Sequence, residues 1–149
     1  LNAQINAANV GYHSMRKYKN IDCLIINERE LRHELRDKNN KIELLVKKLA
    51  SQQNIKDLIV TRGTEGSMLY NKKESKFKTC EALAKSAVDK IGAGDAMLSM
   101  IALCLKSKLD KDLSLLAASL AAAQSVETIG NSETINKIKI LKSINHLLK

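Results

Sequence analysis

Two short apolar runs restrict the fold more than any other feature: Ile21-Asp22-Cys23-Leu24-Ile25-Ile26 and Leu58-Ile59-Val60-Thr61, with helical patterns between them. Runs this short, rich in β-branched residues and nearly continuous in hydrophobicity, read as strands buried on both faces. After the first run, Asn27-Glu28-Arg29-Glu30-Leu31 marks a helix start, and residues 41–53 set Ile42, Leu45, Val46 and Leu49 on one stripe of a second helix. After the second, Gly63 and Gly66 bracket a tight turn, from which Ser67–Tyr70 returns as a hairpin arm. Phe77–Leu83 reads as a further strand or extended segment. Three helices follow: Ala96–Lys106, Asp112 to Glu127 and, past a break at Gly130-Asn131-Ser132, Glu133 to Leu148. This alternation predicts an α/β sheet with helices on both faces. No proline, repeat or low-complexity linker divides the 149 residues, so one domain, or part of one, is expected. Leu1 in place of Met suggests a piece of something longer.

The net charge of +9 raises the question of nucleic acid. Lys and Arg exceed Asp and Glu by 4 in residues 1–60, by 2 in 61–105 and by 3 in 106–149, so the excess is spread along the chain. A nucleic-acid binder gathers its charge on one face beside aromatic stacking partners. Aromatic residues here amount to 3%, and the densest cluster, Lys72, Lys73, Lys76 and Lys78, contains one Phe. A solvated basic surface is the expectation, with no nucleic-acid partner. No apolar run approaches the ~20 residues of a membrane span, so no membrane partner is expected either. Cys23, Cys80 and Cys104 stand alone, without ligand spacing to a histidine, and indicate neither a disulfide framework nor a zinc site. A reduced, cytoplasmic chain is expected.

Chemistry concentrates in Asp89-Lys90-Ile91-Gly92-Ala93-Gly94-Asp95, immediately ahead of a long apolar helix. Glycines let the backbone turn sharply and approach a ligand, and the first helical turn presents N–H groups at the positive end of the dipole. Phosphate oxygens suit that place, and the same amides stabilise charge that builds on a transferring phosphoryl group. Asp95, at the rim, is placed to accept a proton from an attacking hydroxyl. The plainer alternative is an acidic residue favoured by any helix N-terminus.

This run resembles the signature of ribokinase-like (PfkB family) carbohydrate kinases, Asp-Thr-x-Gly-Ala-Gly-Asp. The resemblance implies that Asp95 is the catalytic base, that Gly92, Ala93 and Gly94 with Asp95 supply the anion hole, and that Asp89 lies beside a monovalent-cation site such as K⁺. Lys90 departs from the usual Thr. Asn27-Glu28-Arg29-Glu30 resembles the family's Asn-x-x-Glu element, which implies that Asn27 and Glu30 organise Mg²⁺ through water. A capping box explains the same two residues. Thr61-Arg62-Gly63-Thr64-Glu65-Gly66 resembles the turn along the nucleotide, which implies ATP contacts at Thr61, Gly63 and Gly66. The small residues around Ala122, with Gly130 and Ser132, match the family's adenine-side helix and loop, although close helix packing accounts equally for the alanines.

The likeness runs from about Ile21 to Leu148, while Asn2–Gly11 looks like the mid-chain region of heptose-phosphate kinase relatives that can be fused to a nucleotidyltransferase. It implies a ribokinase-like sheet of which residues 1–149 form the C-terminal, ATP-binding and catalytic part, without the N-terminal sugar-binding half and lid. The implied function is MgATP-dependent phosphoryl transfer to a hydroxyl of a sugar or sugar phosphate, the piece alone being inactive and the full-length enzyme a homodimer. A non-catalytic nucleotide-binding or regulatory module of the same fold is the alternative.

Overall fold

The computed structural model describes residues 1–2, 14–84, 86–89, 91–129 and 134–147. Lys90, Gly130, Ser132 and most of the Asn2–Gly11 stretch lie outside the described residues. The chain divides into two compact units, Leu1–Arg62 with Met68–Lys78, and Gly63–Ser67 with Thr79–Lys149.

The first unit is built on strands β1 (Cys23–Asn27) and β2 (Asp57–Thr61), paired in parallel so that Asn27 lies opposite Thr61. Helices α1 (Glu28–Leu35) and α2 (Ile42–Gln52) form the crossover that a parallel pair requires. Strands β3 (Ser67–Asn71) and β4 (Lys76–Cys80) complete a sheet in the order β1-β2-β3-β4, through connections short enough only for antiparallel neighbours. Leu24, Ile26, Leu58, Val60, Met68 and Tyr70 alternate along their strands and pack with Leu31 of α1 and Leu45, Val46 and Leu49 of α2. The intervening Ile25, Ile59 and Leu69 are buried as well, which is why these strands lack polar alternation. β4 differs. Its lysines leave it half-exposed, as suits an edge strand. It ends at Cys80, short of the expected Leu83, and Glu81–Ala84 has no regular structure.

In the second unit, α3 (Ala93–Lys106) and α4 (Lys111–Val126) pack against each other across a turn capped by Asp110, whose carboxylate accepts from the Asp112 and Leu113 amides at 2.8 and 3.3 Å. Helix α3 starts three residues before the expected Ala96, because Gly92 takes a left-handed φ of 85° and lets the chain enter the helix early. Helix α5 (Lys137–Leu147) starts later than the expected Glu133. Asn136 caps it, accepting from the Lys139 amide at 3.0 Å. The Gln124 side chain bonds both backbone groups of Asn136, at 2.9 and 3.4 Å, and holds that residue out of the helix. Leu120, Ala121 and Ile140 join α4 to α5 in a small core.

Candidate active site

The start of α3 carries the residues singled out as an anion hole. Gly92 is the N-cap and has no side chain to bond the first-turn amides. Its carbonyl accepts from the Ala96 amide at 2.9 Å, so Ala93, Gly94 and Asp95 form the first turn. Amides there have no partner within the helix and point along the positive end of its dipole. Asp95 is exposed, and Ser99 Oγ donates to its carbonyl at 2.8 Å. The geometry is that of a backbone cradle with a carboxylate on its first turn.

The loop leading to this cradle is held from two sides. Asp89 Oδ1 accepts from the Ile91 amide at 2.9 Å. The amides of Val88 and Asp89 both donate to the carbonyl of Val126, at 2.8 and 3.1 Å, tying the loop to the last residue of α4.

At the carboxyl ends of β1 and β2, register brings Asn27 and Thr61 side by side, the edge at which open α/β sheets bind ligands. Asn27 also caps α1: its side chain accepts from the Glu30 amide at 2.8 Å, and Glu30 Oε2 accepts from the Asn27 amide at 3.0 Å. The capping box is thus formed, contributing about 1 kcal/mol to helix stability. Among the described residues no group of three or more His, Cys, Asp or Glu could cage a metal ion. Mg²⁺ needs no such cage, since it keeps several waters and takes one or two carboxylates plus substrate phosphates. An Asn/Glu oxygen pair at a strand edge fits an ion held in that way.

Beside this pair lies a cluster that the sequence reading passed over. Glu28 accepts from Arg32 Nε and Nη2 at 2.9 and 2.8 Å, and from Arg62 Nε at 3.1 Å. Burial pushes the Glu28 carboxyl up, but the hydrogen bonds and charges of Arg32 and Arg62 outweigh it and hold the group below its usual range. The i,i+4 spacing of Glu28 and Arg32 is a legible signal. Arg62 gives none.

The two turn glycines prove unlike. Gly63, at φ 59°, has nothing within 4 Å of where a Cβ would stand. Gly66, at φ 80°, would place a Cβ 2.1 Å from the carbonyl oxygen of Cys80, so the chain beyond β4 packs directly on it. Along α4, Ala121 is fully buried against Leu120 and Ile140, which makes it a packing residue, whereas Ala122 is half-buried. Past it, Gln124, Glu127 and Thr128 of the α4 end line a groove of about 200 Å³ with Thr134, Ile135 and Lys139. None of these six was anticipated. Apart from Ile135 they are polar residues common in any loop region, and the packing of α5 assembles them.

The chain is similar to a group of known proteins. Residues 7–138 match the family described as pfkB family carbohydrate kinase, and the chain belongs to that family. It is 35% identical over 119 residues to the bifunctional protein HldE of Campylobacter curvus, covering 78% of this chain and 25% of that protein. Among solved structures, it is similar to ribokinase of Arabidopsis thaliana complexed with ribose and ATP (TM-score 0.67, 26% identity, 82% of this chain and 40% of that one). It also resembles phosphofructokinase-2 of Escherichia coli in complex with substrates and products (TM-score 0.75, 14% identity, 88% and 42%). The fold is therefore ribokinase-like α/β. The chain spans about a quarter of the length of the HldE relative and about two-fifths of the solved kinases.

Proposed function

We propose that these 149 residues are the ATP-binding and catalytic part of a carbohydrate kinase that transfers the γ-phosphoryl group of ATP to a hydroxyl of a sugar or sugar phosphate. The observation that carries this reading is the start of α3, where a left-handed Gly92 opens an amide cradle and sets an exposed Asp95 on its first turn. Asp95 takes the proton from the acceptor hydroxyl as its oxygen attacks phosphorus, and the bridging oxygen leaves with ADP. The amides of Gly92, Ala93, Gly94 and Asp95 receive the negative charge on the equatorial oxygens. Thr61, Gly63 and Gly66 lie along the nucleotide, and Ala122 with the loop carrying Gly130 and Ser132 borders adenine. Asn27 and Glu30 orient water around Mg²⁺, which when bound neutralises phosphate charge, and Asp89 borders a K⁺ site. The protein works in the cytoplasm; among the described residues no helix is long and apolar enough to cross a membrane.

In-line attack depends on how the acceptor is positioned. We assign that task to sequence outside these residues, which span only about two-fifths of the solved kinases. The same observation favours the second reading, a nucleotide-binding module without turnover. The deciding measurement is sugar-dependent ADP release by the full-length polypeptide and by residues 1–149 alone. Turnover by the first and not the second is expected. Nucleotide binding with no turnover in the full-length protein would establish the second reading.

A further inference from the structure

Glu28 and Arg62 directly follow the paired strand ends, Asn27 and Thr61. Arg62 Nε donates to Glu28 Oε2, while Arg32 occupies Oε1 and reaches on through Nη1 to the carbonyls of Lys38 and Asn40 at 3.2 and 3.0 Å. The carboxylate is therefore anchored to the α1–α2 connection on one side and to the exit of β2 on the other. All three side chains are about a quarter exposed, so the bridge is shielded without being cut off from solvent. The strands already hold five residues of parallel register, and α1 has its capping box, so neither element depends on this bridge to form. What it adds is a lateral restraint at the carboxyl edge, on the first residue of the segment leading out of Thr61. Ligand placement is sensitive to shifts of about 1 Å at such an edge.

We propose that Glu28 is a positioning residue for nucleotide binding: by holding Arg62 it fixes the path of the chain out of Thr61 relative to the Asn27 cap. The proposal rests on the kinase reading above. Thr61 and the turn after it meet the nucleotide, and Glu28 acts on them through Arg62 without touching the ligand. Arg32 keeps the carboxylate from following Arg62 when the turn moves.

The test uses the full-length enzyme with Glu28→Gln, Arg62→Leu and the two combined. Each single variant is expected to raise the KM for MgATP about tenfold with kcat within about threefold of the parent. The melting temperature should fall by only about 2–4 °C, as for a partly exposed ion pair. The double variant should be no worse than either single one, because one bridge is lost in all three. A lower melting temperature with unchanged KM would reduce the bridge to a structural role and overturn the proposal. So would additive losses, or a loss confined to Arg62→Leu. Titrating the parent with MgATP separates the two readings. A parent that binds no nucleotide overturns the kinase reading and this proposal together, whereas a parent that binds it as tightly as the variants do overturns the positioning role alone.

Discussion

At the start of α1, Asn27 and Glu30 each bond the other's backbone, so that this helix end is satisfied by its own side chains. At the start of α3, Gly92 has no side chain with which to do the same, and the first turn carries an exposed acidic residue, Asp95. The two helix starts look alike in sequence, each pairing a small turn-forming residue with an acid three residues later. They differ in what the acid does. Glycine at an N-cap costs a helix roughly a few tenths of a kcal/mol relative to a side-chain cap. That is a small concession for a start without a side-chain cap. The first helix start is closed by its own side chains; the second is the one to which the proposed function gives the phosphoryl charge.

The contrast breaks most readily at Asp95. Asp95→Asn in the full-length enzyme is expected to lower turnover by about 10²–10⁴-fold with ATP affinity nearly unchanged, since Asn fills the same space and cannot take the proton. Turnover within about threefold of the parent would mean that this acid only serves its helix. Next in size are the turn glycines. Gly66→Ala adds a backbone clash with Cys80 to an unfavourable φ, and Gly63→Ala adds the φ alone. Denaturant titration should show a loss of about 1–3 kcal/mol beyond the 1–2 kcal/mol of left-handed strain for the first, and only that strain for the second. Equal losses would show that the chain around Cys80 yields.

Smaller effects sharpen the capped end. Asn27→Ala should cost about 1 kcal/mol of stability, while Glu30→Gln should cost little because Gln also completes a capping box. A higher Mg²⁺ requirement for turnover in Glu30→Gln, at unchanged melting temperature, would assign Glu30 a second task beyond its cap. The smallest effect is on pH. Folding holds the Glu28 carboxyl below its ordinary value of 4.5, so the folded chain binds that proton less readily than the unfolded one. The resulting stability is fully present above about pH 4.5 and fades as pH falls through the lowered folded value. Glu28→Gln should flatten that acid limb by less than about 1 kcal/mol, read from melting curves across pH 3–6.

Much of the first unit was legible because its signals are local. The apolar runs became β1 and β2 within two residues of the expected bounds, and the Asn27–Glu30 spacing became the capping box that it spelled. The Gly-Ala-Gly-Asp run was legible as a helix start, although φ at Gly92 moved that start to Ala93. Less legible were the limits of β4 and α5. β4 stops at Cys80, where the chain turns to pack on Gly66, and α5 waits for Asn136, which Gln124 holds from twelve residues away. Neither partner can be recognised from the residues beside it.

Hydrophobic period, turn residues and capping patterns depend on neighbours a few positions apart, and these the amino-acid order determined alone. It supplied the alternating strands and helices, the bare helix start and the acid three residues after Gly92. Tertiary structure decided which candidates share an edge. Asn27 meets Thr61 only because burying both apolar strands sets one parallel register. Glu28 reaches Arg62 across 34 residues for the same reason. Gly66 must be glycine because a backbone from beyond β4 lies on it, and the groove at the end of α4 exists because α5 packs there. Register and packing follow from the free energy of burying a whole apolar surface, so they belong to the set of strands and helices together and to no single stretch of sequence.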